Sequence, residues 1–277
     1  MALTQATLLE LVGRLANDLD DRVDLTATSN GTATTFVDTV NINAMTRSYD
    51  GWEWWGTSSP NANVIATVTA TNTNTITLTP AMTSTTSGST AMLVNKLGRG
   101  FRIQEYKRAI NAAITDFNGI ALIETIESIG TVYDVETQTI TIPASLKEVY
   151  RVEYQDSEGY WQEIRRATPM GGYGWTAEPS AAVIRIEGNA AYSADGYSVR
   201  LHGYKLQDQL SAQADVCYFE PGGIVSRAAY YLCKGAIGSR DARFGQQALL
   251  YKDESEAMMR RAKARSTRKP GTQVVRL

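Results

Sequence analysis

The chain has 277 residues, 43% of them hydrophobic, and a formal net charge of −2, which is ordinary for a soluble protein with one large core or two to three modules. Two cysteines and a single histidine exclude a disulfide framework and a zinc site, and no apolar run reaches the length of a membrane span. We therefore expect no cofactor, no metal and no membrane contact.

The first predicted element is an amphipathic helix at Thr4–Leu19, assigned to residues 1–25, because Leu8, Leu11 and Leu15 recur at helical spacing. Its far end is acidic, whereas the stretch Arg260–Leu277 carries seven Lys and Arg residues and no acid. Oppositely charged ends suit head-to-tail assembly or contact with two different partners. Two solvated surfaces explain the same charges equally well.

Residues 26–98 differ abruptly in composition, with nineteen threonines between Thr26 and Lys96. Runs of β type alternate there with turn residues, and they lie at Thr32–Val40, Trp52–Gly56, Val64–Thr71, Thr75–Thr79 and Ala91–Val94. Five short strands predict a small barrel or sandwich inserted between two helices. The cluster Trp52, Trp54 and Trp55 is typical of a core or an interface, and a carbohydrate platform is the alternative.

Helical spacing returns at Gln104–Glu127, which we assign to a central helix over residues 99–128. Asn118-Gly119 interrupts its apolar stripe, so Ile120–Ile126 either continues the helix or turns. Residues 129–220 form a second β region, with strands predicted at Gly130–Val135, Thr139–Pro143, Val149–Tyr154, Trp161–Ile164, Val183–Glu187 and Tyr197–Tyr204. A flexible aromatic loop, Met170–Trp175, lies among them.

Residues 221–265 predict a helical hairpin whose second helix runs from Ala242 to Arg265. Residues 266–277 have no apolar period, and Pro270-Gly271 ends any continuing helix. This segment is predicted to be an extended tail that docks on another surface. The candidate partner-binding residues are Arg268, Lys269, Pro270, Gln273, Val274, Val275, Arg276 and Leu277.

These elements predict an α+β fold. Its helical framework would come from separated N-terminal, central and C-terminal helices, with two inserted β modules and an extended C-terminal tail. Cys217 and Cys233 each lie in an apolar run, where a buried thiol is expected.

The residue types that carry catalysis form no recognisable motif. A nucleophilic pair would need the only histidine, His202, which lies on the polar face of a strand, where a histidine is usually solvated. The chain has no Gly-x-Ser-x-Gly elbow, no phosphate-binding loop and no dinucleotide fingerprint. Carboxylate pairs such as Glu124 with Glu127 are typical of solvated charge. We therefore predict that the protein is not an enzyme.

Basic residues near the end of the chain can neutralise phosphates, but no base-reading motif accompanies them and the chain as a whole is not basic. A protein surface is the more economical partner for them.

The order of elements carries a resemblance. An N-terminal helix, a helix at Tyr106–Ile114, a late helical hairpin and a projecting tail together resemble the head–tail connector, or adaptor, proteins of tailed bacteriophages. The segments Gly31–Val40 and Ile142–Tyr154 resemble β insertions of phage virion proteins.

The resemblance implies a structural protein of the virion neck, made in the host cytoplasm. It implies a homo-oligomeric ring, expected to be a 12-mer, that links the portal protein to the adjoining neck or tail protein and forms part of the DNA channel. Non-specific contact with viral DNA is then possible. A carbohydrate- or receptor-binding virion module that uses Trp52–Trp55 and Gly171–Trp175 is the alternative.

Overall fold

The computed structural model describes residues 2–15, 19–43, 47–96, 101–167, 173–178, 180–212, 214–236, 243–266 and 275–276. Five helices lie in these ranges: α1 (Gln5–Leu15), α2 (Ile103–Asn118), α3 (Asn189–Ala194), α4 (Pro221–Ala236) and α5 (Arg243–Ser266). The same ranges contain sixteen strands: β1 (Leu3–Thr4), β2 (Leu19–Thr26), β3 (Thr35–Val37), β4 (Glu53–Gly56), β5 (Ile65–Asn72), β6 (Thr75–Thr79), β7 (Thr90–Lys96), β8 (Ile123–Val132), β9 (Thr139–Thr141), β10 (Leu146–Gln155), β11 (Trp161–Ile164), β12 (Gly174–Glu178), β13 (Val183–Glu187), β14 (Ser198–Lys205), β15 (Val216–Cys217) and β16 (Val275–Arg276).

The chain divides into two compact units. The first unit comprises Met1–Gly119 and Gln209–Ala262, and the second comprises Ile120–Asp208 and Lys263–Leu277. The first therefore contains the threonine-rich strands together with α1, α2, α4 and most of α5.

A curled six-stranded antiparallel sheet fills one side of the first unit, in the order β2-β7-β4-β5-β6-β3. Its inner face packs a core that includes Phe36, Trp54 and Leu93. The two edge strands approach each other at one end, where the Thr28 N–H donates to the Val37 carbonyl oxygen at 3.0 Å. Because buried side chains alternate along strands such as β5 and β6, curling of the sheet encloses a core without a second sheet.

The helices of the first unit pack against one face of α4, and a glycine on this helix allows the closest approach. Ile224, Ala228 and Leu232 are buried in the stripe that the sequence predicts. At Gly223, an added Cβ would lie 2.6 Å from the Phe117 ring of α2 and 3.3 Å from the Met258 Cβ of α5. The absence of a side chain there allows α2 and α5 to approach the start of α4 closely.

Two sheets build the second unit. The larger has the order β11-β10-β14-β8, with β16 also paired to β10, and the smaller has the order β12-β13-β9. The two sheets are joined where the backbone N–H of Trp175 donates to the Arg165 carbonyl oxygen at 3.0 Å. Apolar residues of both sheets, among them Val152, Leu201 and Ile184, share one core. This packing of two sheets is that of a small β-sandwich.

The predicted helical framework with inserted β modules is wrong. Within the described residues sixteen strands stand against five helices, and strands make up most of the second unit and much of the first. The fold is a strand-rich mixed α/β fold. In the first unit the threonine-rich sheet and the helices form one compact body, so the sheet is not an appendage of the helices.

Several predicted boundaries also change. Leu19 begins β2 instead of ending the first helix, and α2 ends at Asn118, after which Ile123–Val132 forms β8. The predicted aromatic loop at Met170–Trp175 contributes its last residues to β12, while 170–172 lie outside the described residues. The second helix of the late pair agrees with prediction to within one residue at each end. Both cysteines are buried, as expected, and they form no disulfide.

Candidate functional site

One edge of β10 accepts an added strand. The four-residue β11 pairs only with the second half of β10, from Val152 to Gln155. The first half of the same edge pairs antiparallel with β16, which places Val275 opposite Val149 and Arg276 opposite Glu148. A short neighbour thus leaves room along a long strand, and residues near the end of the chain occupy it.

Two of the eight predicted partner-binding residues, Val275 and Arg276, therefore lie at this edge. The other six, Arg268, Lys269, Pro270, Gln273, Val274 and Leu277, lie outside the described residues. In the structure, Val275 and Arg276 form a short strand that pairs with the larger sheet of the second unit.

On its other side β10 is held closely by β14. Gly203 of β14 lies opposite Val149, and a Cβ at that position would approach the Glu148 carbonyl oxygen to 2.3 Å. The register between the strands shifts between Val149 and Arg151, which is a β-bulge. Bulges increase the local twist and re-aim side chains, and this one lies next to the half of β10 that β16 contacts.

The opposite edge of the larger sheet is β8. Among the described strands β8 pairs with β14 alone, so its second edge has no strand beside it. Glu124 and Ser128 are exposed, and Ile126 between them is 53% exposed. A ten-residue edge with an exposed apolar residue is a second place where a strand can add.

A buried carboxylate organises the polar face of this sheet. Glu153 on β10 accepts a hydrogen bond from Arg200 Nε at 2.5 Å and one from His202 Nε2 at 2.8 Å, both on β14, and also pairs with Arg151. Burial raises the pKa of the Glu153 carboxyl, but the hydrogen bonds from His202 and Arg200 outweigh it, and the pKa lies below its usual range. The carboxylate is therefore charged, and three cationic or polar side chains satisfy it.

Aromatic side chains cover this network. The Arg200 guanidinium lies 4.1 Å from the ring centroid of Trp161, and Tyr150 packs edge-on against His202. Tyr150 donates a hydrogen bond to Glu124, and burial together with this bond raises the pKa of Tyr150. These contacts hold polar and charged side chains of β8, β10 and β14 in fixed positions.

The expectation that His202 is solvated is wrong, because only 8% of the residue is exposed. Strand alternation correctly places Arg200 and His202 on the polar face, but it carries no information about Glu153, a partner on another strand.

The tryptophan cluster of the first unit is core and not surface. Trp52, Trp54 and Trp55 are all buried, and so is Trp175 in the second unit. These rings offer no face to a sugar, so the carbohydrate-binding alternative loses its tryptophans and keeps Tyr173, which is 77% exposed.

Two properties of the described residues bear on the type of site. In the described ranges no group of three or more His, Cys, Asp or Glu side chains has the arrangement of a metal site. None of the described helices combines the length and apolarity needed to cross a membrane.

The chain matches no protein-family model, and a search of curated proteins returns no match.

Proposed function

We propose that this chain is a structural protein of a tailed-phage particle: a head–tail connector whose copies form a ring between the portal protein and the adjoining neck or tail protein. It has no catalytic role in this proposal. The observation that carries it is the pairing of β16 with the edge of β10, because a segment predicted to dock on a partner takes up the conformation used in strand addition.

Strand addition suits a particle component for a physical reason. The backbone hydrogen bonds of an added strand supply affinity, and the alternating side chains supply specificity. Val275 and Arg276 form the described part of that strand, and the preceding residues Arg268 and Lys269 add positive charge. Such a segment fits the edge of a sheet on an adjoining protein as well as the edge of β10.

The helices and the basic residues support the same proposal more weakly. The elements α1, α2 and α4, on which the resemblance to connector proteins rests, pack together in the first unit. Arg260 and Arg261 lie late on α5, where they are exposed and can contact phosphates non-specifically in a DNA channel.

The experiment has two parts, both on the full chain. Sedimentation and negative-stain images of the purified protein should show closed rings, with twelve copies as the expected number. The protein should then bind purified heads that carry the portal but lack a neck. A chain that forms no ring at any concentration, and does not bind such heads, would show that the proposal is wrong.

A further inference from the structure

The first unit has an open groove between α2 and α4. Its volume is about 470 Å³, within the range of protein sites that bind small molecules or inserted side chains. Phe101, Ala109 and Leu232 are its buried lining residues, whereas Arg108 and Gly235 are exposed at it. The groove thus combines an apolar lining with a positively charged side chain.

The same unit exposes a pair of leucines on α5. Leu249 and Leu250 are 65% and 64% exposed, and they are the only adjacent pair among the large exposed hydrophobic residues of the described chain. At 100° per residue, both point away from the buried stripe of α5, which consists of Phe244, Ala248 and Tyr251. Their own unit does not cover them, and exposed apolar pairs of this kind mark contact surfaces.

We propose that Leu249 and Leu250 of one copy dock in the groove between α2 and α4 of the next copy. This inference rests on the proposed ring and identifies its subunit contact. The groove and the leucines lie on different helices, so the contact is heterologous, and a heterologous contact repeats from copy to copy until a ring closes.

The charges next to the two surfaces are complementary. Asp253 and Glu254 follow the leucines by about one turn and are exposed, and they match Arg108 at the groove. Lys252, also exposed, matches the Glu105 carboxylate that lines the groove. The second copy is therefore the occupant that matches both the apolar lining and the charges of the groove.

Two variants test the contact, one for each of its two surfaces. Leu249→Gln with Leu250→Gln replaces the exposed pair without changing the buried stripe of α5. Gly235→Phe fills the groove, and an added Cβ there meets no atom within 4 Å, so the helix accepts the change. Each variant should weaken self-association by about a hundredfold, which is the loss expected when a buried leucine pair is removed.

Matched controls separate docking from folding. Gly235→Ala also replaces the destabilising glycine in α4 but adds little volume to the groove, so this variant should assemble as the wild type does. Val40→Gln removes a residue that is 78% exposed elsewhere in the first unit and should also leave assembly unchanged. All variants should keep the melting midpoint of the wild-type subunit or exceed it.

Mixing the two defective variants is the decisive measurement. The leucine variant keeps its groove and the groove-filled variant keeps its leucines, so a 1:1 mixture has one competent interface. Analytical ultracentrifugation should show 1:1 dimers and nothing larger.

Three results would overturn the proposal. The wild-type chain could sediment as a monomer throughout, or the leucine variant could assemble as the wild type does. Alternatively, both variants could form normal rings yet fail to bind portal-bearing heads, which would show that a different protein occupies the groove. In the last two cases rings still form, so the proposed connector function survives while the docking contact fails.

Discussion

At the scale of single residues, Asp38 stabilises the place where the edge strands of the curled sheet meet. Its carboxylate accepts hydrogen bonds from the N–H groups of Thr26 and Val40 at 2.9 Å, and from the N–H of Asn41 at 3.0 Å and its Nδ2 at 2.9 Å. Burial raises the pKa of Asp38, but these bonds outweigh it, and the pKa lies below its ordinary value.

The stability that Asp38 contributes should therefore depend on pH. Because its folded-state pKa is depressed, the contribution is complete above the unfolded pKa of about 3.9 and is lost as the pH falls through the folded value. Asp38→Asn should reduce the free energy of unfolding by about 1–3 kcal/mol at pH 7.

Urea unfolding at pH 7, 5 and 3 checks this, and the difference from wild type should shrink at the lowest pH. Asp208→Asn, at an exposed position outside the proposed subunit contact, is the control. A difference that does not change with pH would contradict the assignment.

Glu53 links the curled sheet to a helix of the same unit. The residue is 5% exposed, and its Oε2 accepts the N–H of Ile103, the first residue of α2, at 2.8 Å. A second carboxylate, that of Glu105, accepts the N–H of Arg102 at 2.7 Å. Both negative charges lie at the positive end of the helix dipole.

Glu53→Ala should lower the free energy of unfolding by about 1–3 kcal/mol, because it leaves a buried N–H without an acceptor. For a chain of this size the melting midpoint should fall by roughly 2–4 °C per kcal/mol. Glu53→Gln keeps an acceptor and should lose less. Equal losses in both variants, measured by thermal unfolding, would show that the charge and not the hydrogen bond matters.

Glu53 also bears on the prediction that residues 26–96 can be replaced by a short Gly/Ser linker with the helices still folded, which follows from the abrupt change in composition between two helices. Such a replacement would remove the Glu53 carboxylate and also the buried ring of Trp55, whose centroid lies 5.5 Å from Lys107 Nζ of α2. Both contacts argue that the helices would lose stability. Composition identified the segment but carried no information about contacts made over a distance in sequence.

At the scale of elements, α4 is the helix around which the first unit packs. Ile224 is fully buried, whereas Leu232 is 4% exposed and lines the open groove. Ile224→Ala should cost about 2–5 kcal/mol, and Leu232→Ala should fall at the lower end of that range because water can reach the space left behind. Chemical denaturation of both variants checks the order. Equal midpoints for Leu232→Ala and wild type would mean that this part of α4 is stabilised only in the assembly.

The sequence predicted elements well where a single period ran uninterrupted, as in α4 and α5. It failed at the C-terminal ends of the first and central helices, where the apolar residues fit both helical and strand spacing. Leu19 continues the helical spacing of α1, yet it begins β2, because pairing with Lys96 of β7 supplies a partner that the helix pattern cannot show. Likewise Ile123 and Ile126 fit either period, and β14 decides between them by pairing with β8. The sequence located β11 correctly at Trp161–Ile164, but the site edge was not predictable, because strand spacing does not show that β11 pairs with the second half of β10 alone.

At the scale of the whole molecule, the residues near the end of the chain combine a strand with positive charge. Within the described residues, β16 pairs with β10 at two positions. Ordering each residue costs about 1–2 kcal/mol of backbone entropy, so a two-residue pairing adds little net stability. Its contribution should come from a longer strand formed on an adjoining protein.

Deleting Lys269–Leu277 should therefore leave the circular dichroism spectrum unchanged and shift the melting midpoint by less than about 2 °C, while abolishing binding to portal-bearing heads. Two full-length variants separate the causes. Val275→Pro prevents regular strand pairing but keeps the charges, whereas Arg268→Gln with Lys269→Gln removes charge but keeps the strand. If strand addition is the binding mode, Val275→Pro should bind as poorly as the deletion, and the charge variant should bind more weakly only at higher salt. Full binding by the truncated chain would rule out a docking role. A fall of several degrees in the melting midpoint would show instead that β16 stabilises its own sheet.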